Sequence, residues 1–355
     1  MTKDNKFQNL KKAAIDKYNY IKEDLSNPLH RAVKLQKVSD KAVAILRAVI
    51  IFGLAFIIIF PIFQQISLAF RHPADLNDNT IVWIPKQWSL INFEISIKFL
   101  NYWKSLWNNI RVSTIVTICQ IACTSLAGYA FARLRFKGSN ILFWLIMLTL
   151  IIPPQAFAVS RMLFFSDFDI FGIFAALRGS DRGLTIGGAG KDGVFYLLSL
   201  TGQGVKSALF VYLFRQFFRG LPLELEESAQ IDGAGILRTF WSVMLPNARG
   251  VVTTVALFAF VWQWNDVYYT QLLGVNDDKT FPLLTMQLLK GAEWAQALLN
   301  LTGLNIVDGE SQTDPKFTAL IVNTAAFISM LPLLLAYLFV QRLFVEGIER
   351  TGIVG

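Results

Sequence analysis

Val43 to Phe63 reads VAILRAVIIFGLAFIIIFPIF, with one charge, Arg47, near its start. A helix rises about 1.5 Å per residue, so about 20 apolar residues cross roughly 30 Å of hydrocarbon. This run, continued to Phe70, is long enough to span a bilayer. Five more candidates follow, at about Ile110 to Ala132, Ile141 to Phe165, Val194 to Phe218, Val251 to Leu273 and Thr318 to Phe344. The third contains Pro153 and Pro154, and the fourth is weakened by Gly202, Gln203, Gly204 and Lys206. The expected fold is all-α, a polytopic membrane protein of about six transmembrane helices.

Composition agrees. Of 355 residues, 54% are hydrophobic and 16% charged, against roughly 25% charged in an average soluble domain. Mean hydropathy is +0.46. Apolar residues in such unbroken runs exclude an ordinary soluble core. The first run begins some forty residues in and is too long for a signal-peptide core, so it is expected to remain in the mature protein. Cys119 and Cys123 lie four apart in the second run and read as small buried residues, not a disulfide. The net charge of +8 is unevenly spread, which fits anionic lipid and topology and not nucleic acid.

Basic residues set the expected orientation. Before the first span stand Lys3, Lys6, Lys11, Lys12, Lys17, Lys22, Arg31, Lys34, Lys37 and Lys41, which keep this end inside. Six spans then put Arg133, Arg135 and Lys137 inside, with Arg215, Arg219, Arg238, Arg249 and the tail carrying Arg342 and Arg350. Both termini are predicted cytoplasmic in a multi-pass cell-membrane protein. Phe7, Leu10, Ala14, Tyr18, Ile21 and Leu25 recur at helical spacing, giving either an amphipathic surface helix or a solvated basic tail. Trp83, Trp88, Trp103 and Trp107 read as interfacial anchors. The expected division is a basic tail over 1–41, a membrane domain over 42–344 and a short tail over 345–355.

One segment is too polar to span. Leu221 to Gly235 reads LPLELEESAQIDGAG, followed by Val243-Met244-Leu245-Pro246. Pro222 suits a first helical turn, Glu224, Glu226 and Glu227 suit the positive end of a helix dipole, and Asp232-Gly233 is a breaker. The spacing predicts a short helix, a turn and a second helix. Glu227-Ser228-Ala229, then Gly233, then Val243, Leu245 and Pro246 resembles the coupling motif of permease subunits of binding-protein-dependent ABC importers, with Ser228 in place of the usual alanine. Further stretches similar to the carbohydrate branch, near the second permease of the maltose importer, are Ala127 to Gly138, Ile152 to Gln155, Phe214 to Phe218, Trp264-Asn265-Asp266 and Val340 to Phe344. The tail before Asp40 and the stretch from about Phe164 to Gly193 lie outside the resemblance.

The resemblance implies the type I ABC importer permease architecture, with a coupling segment over 221–246. It further implies that Glu226, Glu227, Ser228, Ala229, Asp232, Gly233, Ala234 and Pro246 meet an ATPase subunit. The implied partners are a second homologous permease, two ATP-binding subunits and an extracytoplasmic solute-binding protein, in the lipid bilayer and without nucleic acid. ATP and magnesium then belong to the partner subunits, and this chain is a permease and not an enzyme. Gly187 to Asp192 is glycine-rich and holds Lys191, but Thr185 and Asp192 stand where a phosphate loop needs Gly and Ser or Thr. His30 and His72 are too isolated for a metal site or a catalytic triad.

Polar groups inside spans are expensive and mark paths. Trp262, Gln263, Trp264, Asn265 and Asp266, with Tyr268 and Tyr269, put rings, amides and a carboxylate in the fifth span, as a carbohydrate path requires, while interhelix packing with an interfacial belt is the other reading. Gln155 is a further contact candidate beside the proline break, and Lys206 either faces the same cavity or snorkels. An amino-acid or peptide permease shares the coupling motif. A secondary transporter would need buried acids or inverted repeats, and a membrane enzyme a nucleophile or metal cluster; neither stands out.

Overall fold

The computed structural model describes residues 28–73, 75, 84–169, 171–179, 183–291 and 315–352. The expected amphipathic helix before Leu25, and Trp83, lie outside them. By internal contacts the chain divides into two units, Met1–Gln64 and Gln65–Gly355.

The first unit holds most of α1 (Pro28–Ala69), which runs unbroken through the expected tail boundary at 41. Its spanning part is Ser39–Ala69, and none of its most apolar stretch is buried. Phe52, for example, is 74% exposed. Side chains of this kind are at low free energy only against lipid or protein.

In the second unit, α2 (Ile91–Phe99) leads into α3 (Tyr102–Arg133), a helix of 32 residues. Then come α4 (Ser139–Ile151), a 3-10 turn at Pro154–Phe157, α5 (Ala158–Ser166), α6 (Ile173–Arg178), α7 (Gly193–Leu200) and α8 (Ser207–Gly220). A polar turn of short helices follows, then α12 (Arg249–Trp264), α13 (Tyr268–Leu272), α14 (Leu284–Leu289) and α15 (Pro315–Gly352). Among the described residues the only β pairings are three isolated bridges.

Among the described residues three helices are long and apolar enough to cross a membrane, and counting each of two bent pairs as one span raises the number to five. The third expected span is one of these pairs, turning by 102° between Ile151 and Pro154. Pro153 and Pro154 cannot donate to the preceding turn, so the helix ends there. The other pair bends by 81° between Asn247 and Arg249. The fourth expected span is not one rod. It is α7 and α8, separated by Thr201–Lys206, each too short to cross alone. Gly202 at φ +74° and Lys206 at φ +57° hold left-handed backbone that no helix continues.

α3 organises the packing. It lies against α7, α8 and α12, and beside Val112, Val116 and Tyr129 its buried face carries the polar or small residues Ser105, Asn109, Ser113, Thr117, Gln120, Thr124 and Gly128. Small residues let helices approach closely, and amides bond across them. A Cβ on Gly128 would overlap Phe214 Cβ and reach 3.0 Å from the backbone nitrogen of Arg215. Asn109 donates to the Trp264 carbonyl at 3.3 Å and accepts from the Leu284 N–H at 3.0 Å. Asn108 donates to Pro282 O at 3.0 Å, and Gln120 to Val205 O at 3.1 Å. The α3 amides thus satisfy backbone groups that the broken helices around it leave free.

Candidate functional site

Two polar regions lie on this scaffold. The first is the turn after α8. It comprises α9 (Glu224–Ile231), α10 (Ile236–Thr239), a π-helical stretch at Phe240–Met244 and α11 (Leu245–Asn247). The helix, turn and helix expected from the sequence are there, but Pro222 precedes the N-cap Leu223 and is outside the first turn. Glu224, Glu226 and Glu227 fill that first turn, where carboxylates meet the positive end of the dipole.

Gly233 ends α9. Its N–H donates to Gln230 O at 3.0 Å, and Ala234 N–H donates to Ala229 O at 2.9 Å. This pair is the Schellman closure, which needs a left-handed residue at Gly233, here at φ +77°. Ala229 is buried beneath, while Glu227, Ser228, Asp232, Gly233 and Pro246 are exposed and Ala234 is half-buried.

Glu226 turns the other way. It is 8% exposed, and its Oε1 accepts the Tyr129 hydroxyl at 2.5 Å. Arg133 Nε stands 3.5 Å from Oε2, and Arg133 Nη2 donates to the Leu221 carbonyl. The Tyr129 ring packs against Phe218 and Phe240, with centroids at 5.8 and 5.3 Å. Phe210, Phe214 and Phe218, one turn apart on α8, form the floor with Met244 and Val251. The last turn of α3 is therefore tied to the polar turn by a buried charge pair, a hydroxyl and an aromatic cluster. Ile231, Leu237 and Trp241, at 86%, 64% and 57% exposed, point away from it.

The second region is a cavity of about 1030 Å³. It opens where two spans break, between Ile152–Pro154 and Thr201–Ser207, and Arg161, Lys206 and Tyr269 line it with Phe157 and Phe164. Arg161 Nη1 donates to the Tyr269 hydroxyl at 2.6 Å and its guanidinium lies 5.2 Å from the ring centroid. The Tyr268 hydroxyl donates to the Pro154 carbonyl at 3.0 Å, so a group freed by the proline break is taken by the fifth span.

The path candidates are scattered. Trp262 is stacked between Phe210 and Phe258, at 5.5 and 5.3 Å, and Trp264 is buried beside Phe260. Gln263 is buried and borders, with Asn109 and Asp266, a space of only about 10 Å³. Asn265 is exposed and bonds the Val261 carbonyl at 3.0 Å. Gln155 is exposed beside the break but is not among the cavity's lining residues, whereas Lys206 is. Tyr269 is one of the fifth-span rings expected from the sequence, whereas Arg161 is not among the expected site residues. No local pattern in the sequence ties Arg161 to a ring 108 positions later.

Residues 120–350 match the family described as binding-protein-dependent transport system inner membrane component. The chain belongs to that family. It is 28% identical over 273 residues to the osmoprotective compounds uptake permease protein GgtD of Synechocystis sp., covering 76% of this chain and 77% of the relative. It is 24% identical over 306 residues to the arabinooligosaccharides transport system permease protein AraQ of Halalkalibacterium halodurans, covering 85% and 93%. A chain in the crystal structure of a bacterial ABC transporter involved in import of the acidic polysaccharide alginate has the same fold, with a TM-score of 0.62 at 19% identity over 86% of this chain and 97% of that one. The all-α polytopic architecture is thus that of an importer permease, a multi-pass membrane component that works with a solute-binding protein.

Proposed function

We propose that this chain forms half of the translocation path of a sugar or oligosaccharide importer and takes up the work of ATP hydrolysis through α9. The observation that carries the reading is the division of the two adjacent glutamates. Glu226 is anchored inward on Tyr129 and Arg133, while Glu227 is exposed, as are Ile231, Leu237 and Trp241 of the same polar turn. A rigid piece with an apolar outer surface and a charged edge is suited to docking on a protein partner. Because α9 is tied to the end of α3, displacement of the turn moves the helix whose amides hold the broken spans.

In this reading the turn meets one of two ATP-binding subunits, which carry ATP and magnesium. A second homologous permease completes the path and an extracytoplasmic binding protein delivers solute. Both termini are cytoplasmic, supported by the lysines ahead of α1. The carbohydrate class is supported by the arabinooligosaccharide relative.

The test is purification of the tagged chain with its partners, followed by ATPase assays over carbohydrates and amino acids. Stimulation by a carbohydrate, and labelling of a Glu227→Cys variant by a membrane-impermeant thiol reagent from the cytoplasmic side only, are the expected results. Solute movement by the chain alone, or labelling from outside, overturns the reading.

A further inference from the structure

The cavity at the two breaks carries positive charge with nothing opposite. Arg161 from α5 and Lys206 from the break before α8 both line it, and among the described residues no carboxylate does. Among the described residues neither cation has an ion pair. The described carboxylates of the neighbouring segments are engaged elsewhere. Asp167 accepts from the Gly183 N–H, Asp169 from Phe174 and Ala175, Asp192 from Arg111 and Tyr196, and Asp266 from Tyr269 and Thr270. The N-terminus of α8, a helix of fourteen residues, adds its positive dipole end at Lys206–Ala208 on the same wall.

Lys206 also occupies backbone that a lysine adopts at a cost. At φ +57° a glycine would be less strained, so the position holds this residue for its side chain. A cation within a span is unfavourable without a partner, and a neutral solute closing over both would leave them unpaired.

The geometry points to an anionic solute: the cavity binds a carboxylate or phosphate group on the transported carbohydrate, held by Arg161 and Lys206. The assignment rests on the importer reading above and narrows its substrate class. The exposed rings of Phe157 and Phe164 offer faces for sugar stacking beside the charges.

The experiment uses the whole importer in proteoliposomes, comparing neutral oligosaccharides with their uronate counterparts and monosaccharides with their phosphate esters. Uptake and ATPase stimulation by the anionic member of a pair are expected. Arg161→Gln and Lys206→Gly are each expected to raise its KM by about tenfold, the scale of one charge-assisted hydrogen bond. Lys206→Gly relaxes the backbone, so its loss of affinity is not misfolding, and the combined Arg161→Lys, Lys206→Arg variant should keep anion preference. Stimulation by neutral sugars alone, or an unchanged KM in both charge-removing variants, overturns the assignment while leaving the carbohydrate reading in place. If native mass spectrometry instead finds an anionic phospholipid retained by the wild type and lost from these variants, with KM unchanged, the cations hold a lipid headgroup and the assignment fails. An importer stimulated by no carbohydrate of either charge overturns both readings together.

Discussion

The polar turn at 221–247 and the cavity at the two broken spans are both interruptions in an apolar chain, and they treat charge in opposite ways. In the turn, Glu226 meets Tyr129 and Arg133, and Gly233 and Ala234 close the helix end. In the cavity, Arg161 and Lys206 are without acids among the described residues. A buried network of opposite charges is stiff and holds one geometry, as a transmitter of force requires. Cations without an opposite charge keep affinity for an anionic ligand. Breaking the turn should therefore cost stability and coupling together, whereas changes in the cavity should alter affinity.

The largest effect is expected from Glu226→Ala. It strands Arg133, 6% exposed at the side chain, without its partner, a loss on the order of 3–5 kcal/mol. The melting temperature of the purified importer should fall and solute-stimulated ATPase should disappear. If the variant melts like wild type, the turn is not locked as described and the contrast with the cavity fails.

Gly233→Pro comes next. Proline fixes φ near −65° where the chain needs +77° and removes the N–H that bonds Gln230 O. The local cost is roughly 3 kcal/mol, confined to the end of α9, so membrane insertion should be unchanged while uptake falls to background. A Cβ there meets nothing within 4 Å, so Gly233→Ala isolates the backbone cost at about 1 kcal/mol and should retain partial transport. Equal transport by all three forms would show that the Schellman closure does not matter to coupling.

Gly128→Ala probes the joint between the two regions. In a free helix alanine is favoured over glycine by about 1 kcal/mol. Here its methyl would overlap Phe214 Cβ and crowd the Arg215 backbone, neither of which is a flexible side-chain end. Overpacking of this kind costs about 1–3 kcal/mol, so a net loss of stability is expected by thermal melting. A gain would mean that α3 and α8 have slack, and that motion of the turn is not passed along α3.

What was legible in the sequence follows from how far each signal is local. The first run, Val43 to Phe70, became Ser39–Ala69, because a lipid-facing helix must be apolar all round. The second became Tyr102–Arg133, starting eight residues before the expected Ile110, because Ser105, Asn108 and Asn109 are polar yet buried against other helices. Hydropathy cannot separate such a helix start from a loop. The break at Thr201–Lys206 was visible as glycines and a lysine, but that it and the proline break share a cavity was not. Glycine at 233 was legible because turn chemistry lies within five residues. The Tyr129, Arg133 and Glu226 lock was not, since it joins positions 97 apart and Arg133 looked like an ordinary inside charge.

The smallest expected effect sharpens the comparison from the other end of α3, where Lys104 donates to the Lys279 carbonyl at 2.5 Å. In that loop Asp278 accepts from Lys290 at 2.8 Å and from Asn276 and Gln287 at 3.1 Å. Partial burial pushes the Asp278 carboxyl up, but the Lys290 ammonium and the two amides outweigh it and hold the group below the ordinary carboxylate value. A depressed pKa contributes stability that is present above the unfolded value, about 3.9, and is lost as pH falls through the folded one. Both partners are about a third exposed at the side chain, at 30% and 36%, so screening limits the pair to about 0.5 kcal/mol. Asp278→Asn should lower the melting temperature slightly at pH 7 and low salt, with the difference vanishing toward pH 3 or in 1 M salt, where the Debye length is about 3 Å. The Glu226→Ala deficit should persist in that salt, because the buried pair is shielded by protein and not by ions. If salt erases both deficits alike, the two ion pairs are equally wet, and burial is not what separates the transmitting end from the rest of the molecule.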